Sequence, residues 1–461
     1  MNGSGGPGPR KASAVRFETS GALEGSLTPP PDKSISHRAA LLSAMASGTS
    51  TVSCYLDSAD TRSTLAAVEA LGARVKTAVG PHGSLDLEVD GIGLDGPSKH
   101  PGPDPVAIDV GNAGTLMRLL PGWLAGQPRG VWKLDGDKSI RRRPVDRIAD
   151  PLREMGADVT ARDGRLPPLE IRGAQLRAIE YVLPVASAQV KSCLLLAGLQ
   201  AEGETTVIER DPSRDHTERM LRAAGAKVSV APDGMNLAIG GRLPGKRVSV
   251  LSTGALVPCD LTVPGDFSSA AFFIVAALLV PGSRVRVRDV GINPTRVGLL
   301  GILNRMGARI EVEESPPLNG EPRGTIEARH SPLRSTTVTP GEVPLAIDEL
   351  PLVALAAAFA EGETVVRGAE ELRHKESDRV ATVVEAVNSM RGDAEAFDDG
   401  FAVRGTGGLR GGRISSHGDH RLAMVGALAG LASRDGVEVE GMDAAGVSYP
   451  GFEADLRALI G

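Results

Sequence analysis

The sequence predicts an α/β protein of two similar domains, each built from three repeated α/β units. Two observations lead to this prediction. First, six runs of helical length are rich in Ala and Leu on nearly all sides, which is typical of helices buried in a core. Second, each run is followed by glycine and alternating Val or Thr, a strand signal that recurs roughly every 70 to 85 residues as an internal repeat.

The predicted elements follow the same order in each unit. The buried helices are expected over residues 39–47, 116–126, 190–199, 270–279, 350–360 and 422–432. The strands after them begin at Gly48, Gly130, Gly203, Gly282, Gly362 and Gly436. A second helix follows each strand and, in the first four units, ends in a Gly-Ala pair, at residues 72–73, 156–157, 225–226 and 307–308. Glycine there suits a left-handed C-cap before the next strand, whereas the fifth unit is less regular near residues 389–392.

Two stretches are candidate joints between domains, the prolines at 29–31 and the segment 260–265. If both are hinges, residues 32–262 form a continuous domain and residues 15–31 plus 263–461 form a discontinuous one. The active site would then lie in the cleft between them. Residues 1–14 are rich in Gly, Ser and Pro and lack the apolar core of a signal peptide, so we expect a disordered tail.

The composition narrows the class of ligand. A net charge of -6 and 3% aromatic residues do not fit a typical nucleic-acid binder. The longest apolar run, residues 270–280, is shorter than the roughly 18 residues that indicate a membrane span. The three cysteines have no metal-ligand spacing, so we expect buried, unreactive thiols in a reducing cytoplasm. We therefore expect a cytoplasmic monomer that binds small anionic molecules, with no metal, organic cofactor, nucleic acid or membrane.

Charged residues gather where the buried helices begin. Capping accounts for Ser, Asp and Asn there, but not for Lys33, Arg38, Gln189 or Arg421. Residues 375 and 379, Lys and Arg, are four apart and would share one helix face. No Gly-x-x-x-x-Gly-Lys loop precedes Lys33, which argues against ATP chemistry by that route. This supply of cations favours a ligand that carries both phosphate and carboxylate.

Seven segments, in order along the chain, resemble the 5-enolpyruvylshikimate-3-phosphate synthase family, also called 3-phosphoshikimate 1-carboxyvinyltransferases. These segments are 32–38, 111–118, 143–144, 187–189, 347–349, 373–379 and 419–421. The resemblance implies the enolpyruvyl transferase fold, two domains of three α/β units that close over the substrates. It also implies transfer of the enolpyruvyl group of phosphoenolpyruvate to the 5-hydroxyl of shikimate 3-phosphate, with release of phosphate, in the pathway to chorismate and the aromatic amino acids.

The resemblance also implies roles for individual residues. Those expected to bind shikimate 3-phosphate are Lys33, Ser34, Arg38, Ser187, Ala188, Gln189, Ser213, Arg214, Asp348 and Lys375. Those expected to bind phosphoenolpyruvate are Lys33, Gly114, Arg143, Gln189, Arg379 and Arg421. In the expected addition and elimination, Asp348 accepts or orients the proton of the 5-hydroxyl, and Glu376, with Lys33 nearby, transfers a proton at the phosphoenolpyruvate methylene. Gly114 leaves room in the phosphoenolpyruvate subsite, so we expect the family inhibitor glyphosate to bind.

The sequence departs from the best-known bacterial pattern at two places, which suggests a divergent branch. Residues 443–448, before Tyr449 and Pro450, hold no lysine, and Glu371 stands where the family has Asn. One alternative is the sister transferase that acts on UDP-N-acetylglucosamine, but its catalytic cysteine is absent from residues 136–144. Another is a non-catalytic anion-binding scaffold, yet Lys33, Asp348 and Glu376 are all present.

Overall fold

The computed structural model describes residues 14–96, 105–233 and 245–460. Two short strands come first, β1 (Ala14–Phe17) and β2 (Glu24–Leu27). The first unit comprises α1 (Lys33–Met45), β3 (Thr49–Tyr55), α2 (Ala59–Ala70), β4 (Arg74–Val79) and β5 (Leu85–Asp90). The second comprises β6 (Val106–Asp109), α3 (Gly114–Ala125), β7 (Val131–Asp135), α4 (Asp146–Met155), β8 (Asp158–Arg162) and β9 (Leu166–Arg172). The third comprises β10 (Glu180–Val182), α5 (Ala188–Gly198), β11 (Glu204–Glu209), α6 (His216–Ala223), β12 (Val228–Pro232) and β13 (Lys246–Leu251).

Strand β14 (Asp260–Thr262) leads into the second half of the chain. The fourth unit comprises α7 (Phe267–Leu279), β15 (Arg284–Gly291), α8 (Gly298–Arg305), β16 (Arg309–Leu318) and β17 (Glu321–Arg329). The fifth comprises β18 (Thr337–Val338), α9 (Val343–Ala346), α10 (Leu350–Phe359), β19 (Glu363–Val366), α11 (Arg379–Ser389), β20 (Asp393–Phe397) and β21 (Gly400–Arg404). The sixth comprises β22 (Gly412–Ser415), α12 (His420–Ala432), β23 (Val437–Glu440) and α13 (Phe452–Ala458).

Each unit has its own small mixed sheet. The strand orders are β14-β3-β5-β4, β6-β7-β9-β8, β10-β11-β13-β12, β2-β15-β17-β16, β18-β19-β21-β20 and β1-β23-β22. In the second sheet β6 and β7 are parallel, with Val106 opposite Trp132, and β7 and β9 are antiparallel, with Trp132 opposite Ile171. Strands β1, β2 and β14 complete sheets whose other strands are distant in the sequence. The α/β class and the six repeat units are therefore confirmed.

The predicted local signals are present in the structure. All six buried helices form, and a strand follows each of them. Gly156 ends α4 in the left-handed conformation, with φ 111°, because a residue without Cβ enters that region at little cost. In the fifth unit Arg391, rather than a glycine, takes the left-handed position after α11, with a φ of 66°. The Gly-Ala signal is therefore missing there.

The buried apolar side chains form two clusters. One contains residues between 35 and 263, and the other contains residues 17–27 together with residues between 267 and 459. Helix α3 contacts α1 and α5 in the first cluster, whereas α7, α10 and α12 contact one another in the second. Each fully buried Leu or Phe contributes about 1.5–3 kcal/mol of transfer free energy, so these helices anchor the two cores. The domain boundaries given above stay a prediction.

Several expectations concern single segments or residues. The predicted tail lies outside the described residues, except for Ala14, which begins β1 opposite Glu440. None of the helices in the described ranges is long and apolar enough to cross a membrane.

Cys193 is buried, but Cys54 and Cys259 are half-buried, so the expectation of buried thiols is correct for one of the three. These two thiols are half-buried because they lie near strand ends rather than in a core helix.

Candidate active site

A cavity of about 830 Å³ lies at the N-terminal ends of the buried helices. Residues of α1, α3, α5 and α12 line it, as do the turns before α6, α10 and α11. The cavity brings together all the residues expected in the site: Lys33, Ser34, Arg38, Gly114, Arg143, Ser187, Ala188, Gln189, Ser213, Arg214, Asp348, Lys375, Glu376, Arg379 and Arg421. These residues come from five of the six units, so only the folded chain assembles them.

Helix α1 presents Lys33 at its first position. Asp32 caps this helix, because its side chain accepts a hydrogen bond from the Ile35 amide at 2.9 Å. The Lys33 Nζ atom lies 3.1 Å from Asp60 Oδ2. Burial alone would raise the pKa of Asp60, but Lys33 lowers it below its ordinary value. Lys33 is therefore held in an ion pair with Asp60 at the N-terminal end of α1.

Arg38 lies one turn deeper in α1 and is fixed on three sides. Its Nε donates to Thr217 Oγ1 at 2.7 Å, its Nη2 to Ser192 Oγ at 2.9 Å, and its Nη1 to the Ser34 carbonyl at 2.9 Å. Burial lowers the pKa of Arg38 to about 10, which still leaves the guanidinium charged at neutral pH. A fixed, charged guanidinium suits the binding of an oxyanion.

Helices α3 and α5 meet at their N-terminal ends. Gln189 Nε2 donates to Thr115 Oγ1 at 3.2 Å, and Ser187 caps α5 by accepting from the Val190 amide at 3.3 Å. Gly114 is the first residue of α3. The unpaired amides at two adjacent helix starts favour an anion between them.

Two guanidinium groups flank Gly114. Arg143 donates from Nη2 to Asn112 Oδ1 at 3.2 Å and to Ser139 Oγ at 3.0 Å, while its buried Nε has no hydrogen-bond partner among the described residues. Arg118, which the sequence-based prediction missed, donates to the carbonyl oxygens of Gly114 and Pro144 at 3.2 and 3.3 Å. Burial lowers its pKa to about 10. The two arginines form a cationic wall beside Gly114.

Asp348 is surrounded by cations. Its Oδ2 lies 2.5 Å from Arg214 Nη2, and its Oδ1 lies 3.4 Å from Arg379 Nη1 and 3.5 Å from Lys375 Nζ. Burial alone would raise the pKa of Asp348, but Lys375 and Arg214, followed by Arg421 and Arg379, hold it well below its ordinary range. Asp348 is therefore ionised in the ligand-free protein.

Glu376 has a similar environment on the other side of Arg379. Its Oε2 lies 2.6 Å from Arg379 Nη2, and its Oε1 lies 3.6 Å from Arg143 Nη2. Burial alone would raise the pKa of Glu376, but Arg379 and Arg143 keep it well below its ordinary range. An anionic ligand that paired with these arginines would weaken their effect and raise the pKa of the carboxylate.

Buried polar side chains hold two of the cavity arginines, Arg421 and Arg379, in place. Arg421 donates from Nη2 to Ser268 Oγ at 3.0 Å, and its Nη1 lies 3.5 Å from Glu349 Oε1. Arg296 lies 3.3 Å from the same carboxylate and donates to the same hydroxyl at 2.6 Å. Arg379 Nε pairs with Asp419 at 2.8 Å. The sequence-based prediction missed Arg296, which lies in the turn before α8 where no motif singled it out.

The two departures from the family pattern differ in their placement. Glu371 forms a two-pronged ion pair with Arg147 at the cavity wall, with N···O distances of 2.7 and 2.9 Å. The acidic residue thus has a specific partner from α4. The segment 443–448 is part of the described chain, and none of its residues lines the cavity.

Metal ligation finds no support in the described part of the chain. No group of three or more His, Cys, Asp or Glu side chains within 14–96, 105–233 and 245–460 is arranged to hold a metal ion.

His420, at the start of α12, lines the cavity, and burial lowers its pKa to about 3. The imidazole is therefore neutral and contributes no charge to the cationic wall at neutral pH.

Comparisons with known proteins show the family of the chain. A family model described as EPSP synthase (3-phosphoshikimate 1-carboxyvinyltransferase) matches residues 17–456. A 3-phosphoshikimate 1-carboxyvinyltransferase of Thermus thermophilus is 48% identical over 447 residues, covering 97% of this chain and 99% of that relative. The enzyme of the same name from Shouchella clausii is 46% identical over 438 residues, covering 95% of this chain and 96% of that relative.

Solved structures show the same likeness. The structure of EPSP synthase from Acinetobacter baumannii has a TM-score of 0.81 and 41% identity, covering 97% of this chain and 98% of that chain. The enolpyruvyl transferase NikO from Streptomyces tendae has a TM-score of 0.73 over 98% of both chains, but at 18% identity this shows the fold alone. The match over nearly the whole chain shows that this protein belongs to the EPSP synthase family and has the 3-phosphoshikimate 1-carboxyvinyltransferase activity of the shikimate pathway.

Proposed function

We propose that the cavity binds shikimate 3-phosphate and phosphoenolpyruvate side by side and transfers the enolpyruvyl group between them. The observation that carries this proposal is the pair of ionised carboxylates, Asp348 and Glu376, surrounded by cations. Both substrates carry a phosphate and a carboxylate, and each charge-assisted hydrogen bond contributes about 1.5–3 kcal/mol. The cations therefore match the substrates, and the two carboxylates can take up protons once the substrates pair with these cations.

The shikimate 3-phosphate subsite is proposed to lie between the first, third and fifth units. Its residues are Lys33, Ser34, Arg38, Ser187, Ala188, Gln189, Ser213, Arg214, Asp348 and Lys375, which line one continuous cavity. Support comes from Arg38, which three hydrogen bonds hold in place before any ligand binds. A preformed cation loses little conformational entropy on binding, which favours affinity.

The phosphoenolpyruvate subsite is proposed to lie around Gly114. Its residues are Lys33, Gly114, Arg143, Gln189, Arg379 and Arg421. Support comes from the guanidinium groups of Arg143 and Arg118 at the cavity wall and from the absence of a side chain at Gly114, where a Cβ would lie 3.0 Å from Arg143 Nη1. Glyphosate, a small molecule with a phosphonate and a carboxylate, is proposed to occupy the same subsite.

The first chemical step is an addition. The 5-hydroxyl oxygen of shikimate 3-phosphate bonds to C2 of phosphoenolpyruvate, and Asp348 accepts the hydroxyl proton. At the same time C3 of phosphoenolpyruvate gains a proton from Glu376, with Lys33 nearby. Glu376 holds this proton once the anionic substrates pair with Arg379 and Arg143 and raise its pKa. Once the substrates pair with Lys375, Arg214 and Arg379, the pKa of Asp348 rises toward the value that a general base requires.

The second step is an elimination from the tetrahedral intermediate. One proton of the C3 methyl group returns to the Glu376 carboxylate, the C2–C3 double bond forms again, and the C2–O bond to phosphate breaks. The leaving phosphate takes up the proton that Asp348 accepted in the first step, so both carboxyl groups return to their starting states. Arg143 and Arg379 lie on either side of Glu376, so they are placed to balance the charge of the leaving phosphate. The products are 5-enolpyruvylshikimate 3-phosphate and phosphate.

The protein is further proposed to act as a monomer in the cytoplasm, without metal or organic cofactor. Support for the monomer comes from the cavity, to which one chain supplies every proposed group. The acidic net charge of -6 supports a small-molecule site rather than a nucleic-acid surface. Sedimentation velocity of the purified protein tests the monomer, and a dimeric boundary would contradict it.

Phosphate release tests the reaction and its acceptor together. Purified protein receives phosphoenolpyruvate and either shikimate 3-phosphate or UDP-N-acetylglucosamine, with EDTA in place of metal. We expect release only with shikimate 3-phosphate. Release only with the sugar nucleotide would overturn the acceptor, and binding without release would favour the scaffold.

A further inference from the structure

A buried charged cluster lies directly beneath the proposed shikimate 3-phosphate subsite. The Nζ atom of Lys191, on α5, lies 2.8 Å from Glu209 Oε2 at the end of β11 and 2.6 Å from Glu218 Oε1 on α6. The side chains of Lys191 and Glu209 are fully buried, and that of Glu218 is 2% exposed. None of the three lines the cavity, so they do not contact a ligand there.

Glu209 connects this cluster to the turn before α6. Its Oε1 accepts a hydrogen bond from the Ser213 backbone amide at 3.2 Å and another from the Ser213 hydroxyl. Its Oε2 faces Lys191. The backbone bond fixes the turn, whereas the hydroxyl can rotate from Glu209 to a ligand oxygen. The next residue, Arg214, reaches from the same turn to Asp348.

Glu218 connects the cluster to Arg38. Its neighbour Thr217 accepts from Arg38 Nε at 2.7 Å and lies 2.6 Å from Ser192, the neighbour of Lys191. Burial lowers the pKa of Arg38, and Glu218 opposes this shift. Adjacent residues on α5 and α6 thus connect Arg38 to the cluster whose Glu209, at the end of β11, holds Ser213.

Stability alone does not explain such a cluster. Replacing a buried ion pair with apolar residues of similar size is often neutral or stabilising, because desolvation offsets much of the Coulomb attraction. What the cluster provides here is a fixed position for the residues above it. Resting on the proposed function, we infer that Lys191, Glu209 and Glu218 are positioning residues that preorganise the Ser213–Arg214 turn to receive the phosphate of shikimate 3-phosphate.

The variant Glu209→Gln tests this inference with little change in shape. Glu209 accepts from Lys191 with one oxygen and from the Ser213 amide with the other. A glutamine has one accepting oxygen, so its donating NH2 group would face one of these two donors. We expect the Kd of shikimate 3-phosphate, measured by calorimetry without the second substrate, to rise about 10- to 100-fold. The KM of phosphoenolpyruvate should change by less than about threefold.

Thr205→Val is the matched control. It lies on β11 like Glu209, is fully buried, and loses a hydroxyl that has no hydrogen-bond partner among the described residues. We expect this variant to retain the wild-type Kd. An unchanged shikimate 3-phosphate Kd in Glu209→Gln, or an equal loss for both substrates, would overturn the inference.

A second measurement needs no variant. If the turn is preorganised, the peptide that contains the Ser213 amide should exchange slowly with deuterium in the ligand-free wild type, and shikimate 3-phosphate should change this little. Fast exchange that becomes slow only on binding would overturn the inference. Failure of the wild type to bind shikimate 3-phosphate at all would instead refute the proposed function.

Discussion

Replacement of Asp348 by asparagine separates proton transfer from binding. The amide keeps the shape of the side chain and can still accept a hydrogen bond, but it cannot take a proton from a hydroxyl. In the structure Asp348 lies 2.5 Å from Arg214, 3.4 Å from Arg379 and 3.5 Å from Lys375. The substitution therefore removes one negative charge from a cationic pocket.

The substitution should lower kcat, but it should strengthen the attraction of the pocket for an anion. Loss of a general base reduces turnover by about 10²- to 10⁴-fold, so we expect the kcat of Asp348→Asn to fall by at least about 10². Loss of the negative charge leaves Arg214 and Lys375 more strongly attractive to an anion, because a charge pair near 4 Å is worth about 4 kcal/mol at an effective dielectric constant of 20. The Kd of shikimate 3-phosphate should therefore not rise by more than about tenfold.

Steady-state phosphate release gives kcat, and calorimetry gives the Kd. Glu371→Gln is the matched control, because it also removes a carboxylate from the cavity wall. Its side chain and that of Arg147 are 35% and 40% exposed, and such pairs contribute about 0–1 kcal/mol, so kcat should stay within about fivefold of the wild type. A kcat of Asp348→Asn within tenfold of the wild type would refute its role as the base.

Three further predictions follow from other residues. Glu376→Gln should lower turnover by at least about 10² in the same assay, and near-normal turnover would remove Glu376 from the mechanism. Gly114→Ala places a Cβ 3.0 Å from Arg143. Because overpacking costs about 1–3 kcal/mol, this variant should raise the phosphoenolpyruvate KM and the glyphosate inhibition constant roughly 5- to 100-fold. Unchanged constants would contradict the assigned subsite. Burial lowers the pKa of His37 to about 3, so between about pH 6.5 and pH 3 the unfolded state binds a proton at this residue and the folded state does not. The free energy of unfolding should therefore fall by about 1.4 kcal/mol for each pH unit within this range. Urea unfolding at pH 7 and pH 4.5 should show a smaller difference for His37→Gln than for the wild type, and equal differences would argue against this linkage.

The sequence predicted the elements whose signals are local. The buried helices and their charged N-terminal residues, such as Lys33 and Arg421, could be identified because helical periodicity and capping act over a few residues. The pairing of β1 with β23, of β2 with β15 and of β14 with β3 could not, because these partners lie far apart in the chain.

The residues missed in the site share one physical feature, which is that they act through partners distant in sequence. Arg118 lies in the segment 111–118 that resembles the family, but its part in the site follows only from its place beside Arg143. Arg296 is defined by its contact with Glu349. Lys191 occupies an otherwise apolar helix, where a single lysine gives no signal until Glu209 is brought against it. Such contacts depend on tertiary structure rather than on any local pattern.

The most direct test of the account is the mass of the product formed in D₂O. Purified protein is incubated with phosphoenolpyruvate and shikimate 3-phosphate, and the product is analysed by mass spectrometry. Addition followed by elimination passes through a methyl group at C3, so we predict 5-enolpyruvylshikimate 3-phosphate with deuterium in its vinyl group and one phosphate released per product. A product without deuterium would contradict the addition–elimination mechanism, and phosphate release without this product would contradict the proposed reaction itself.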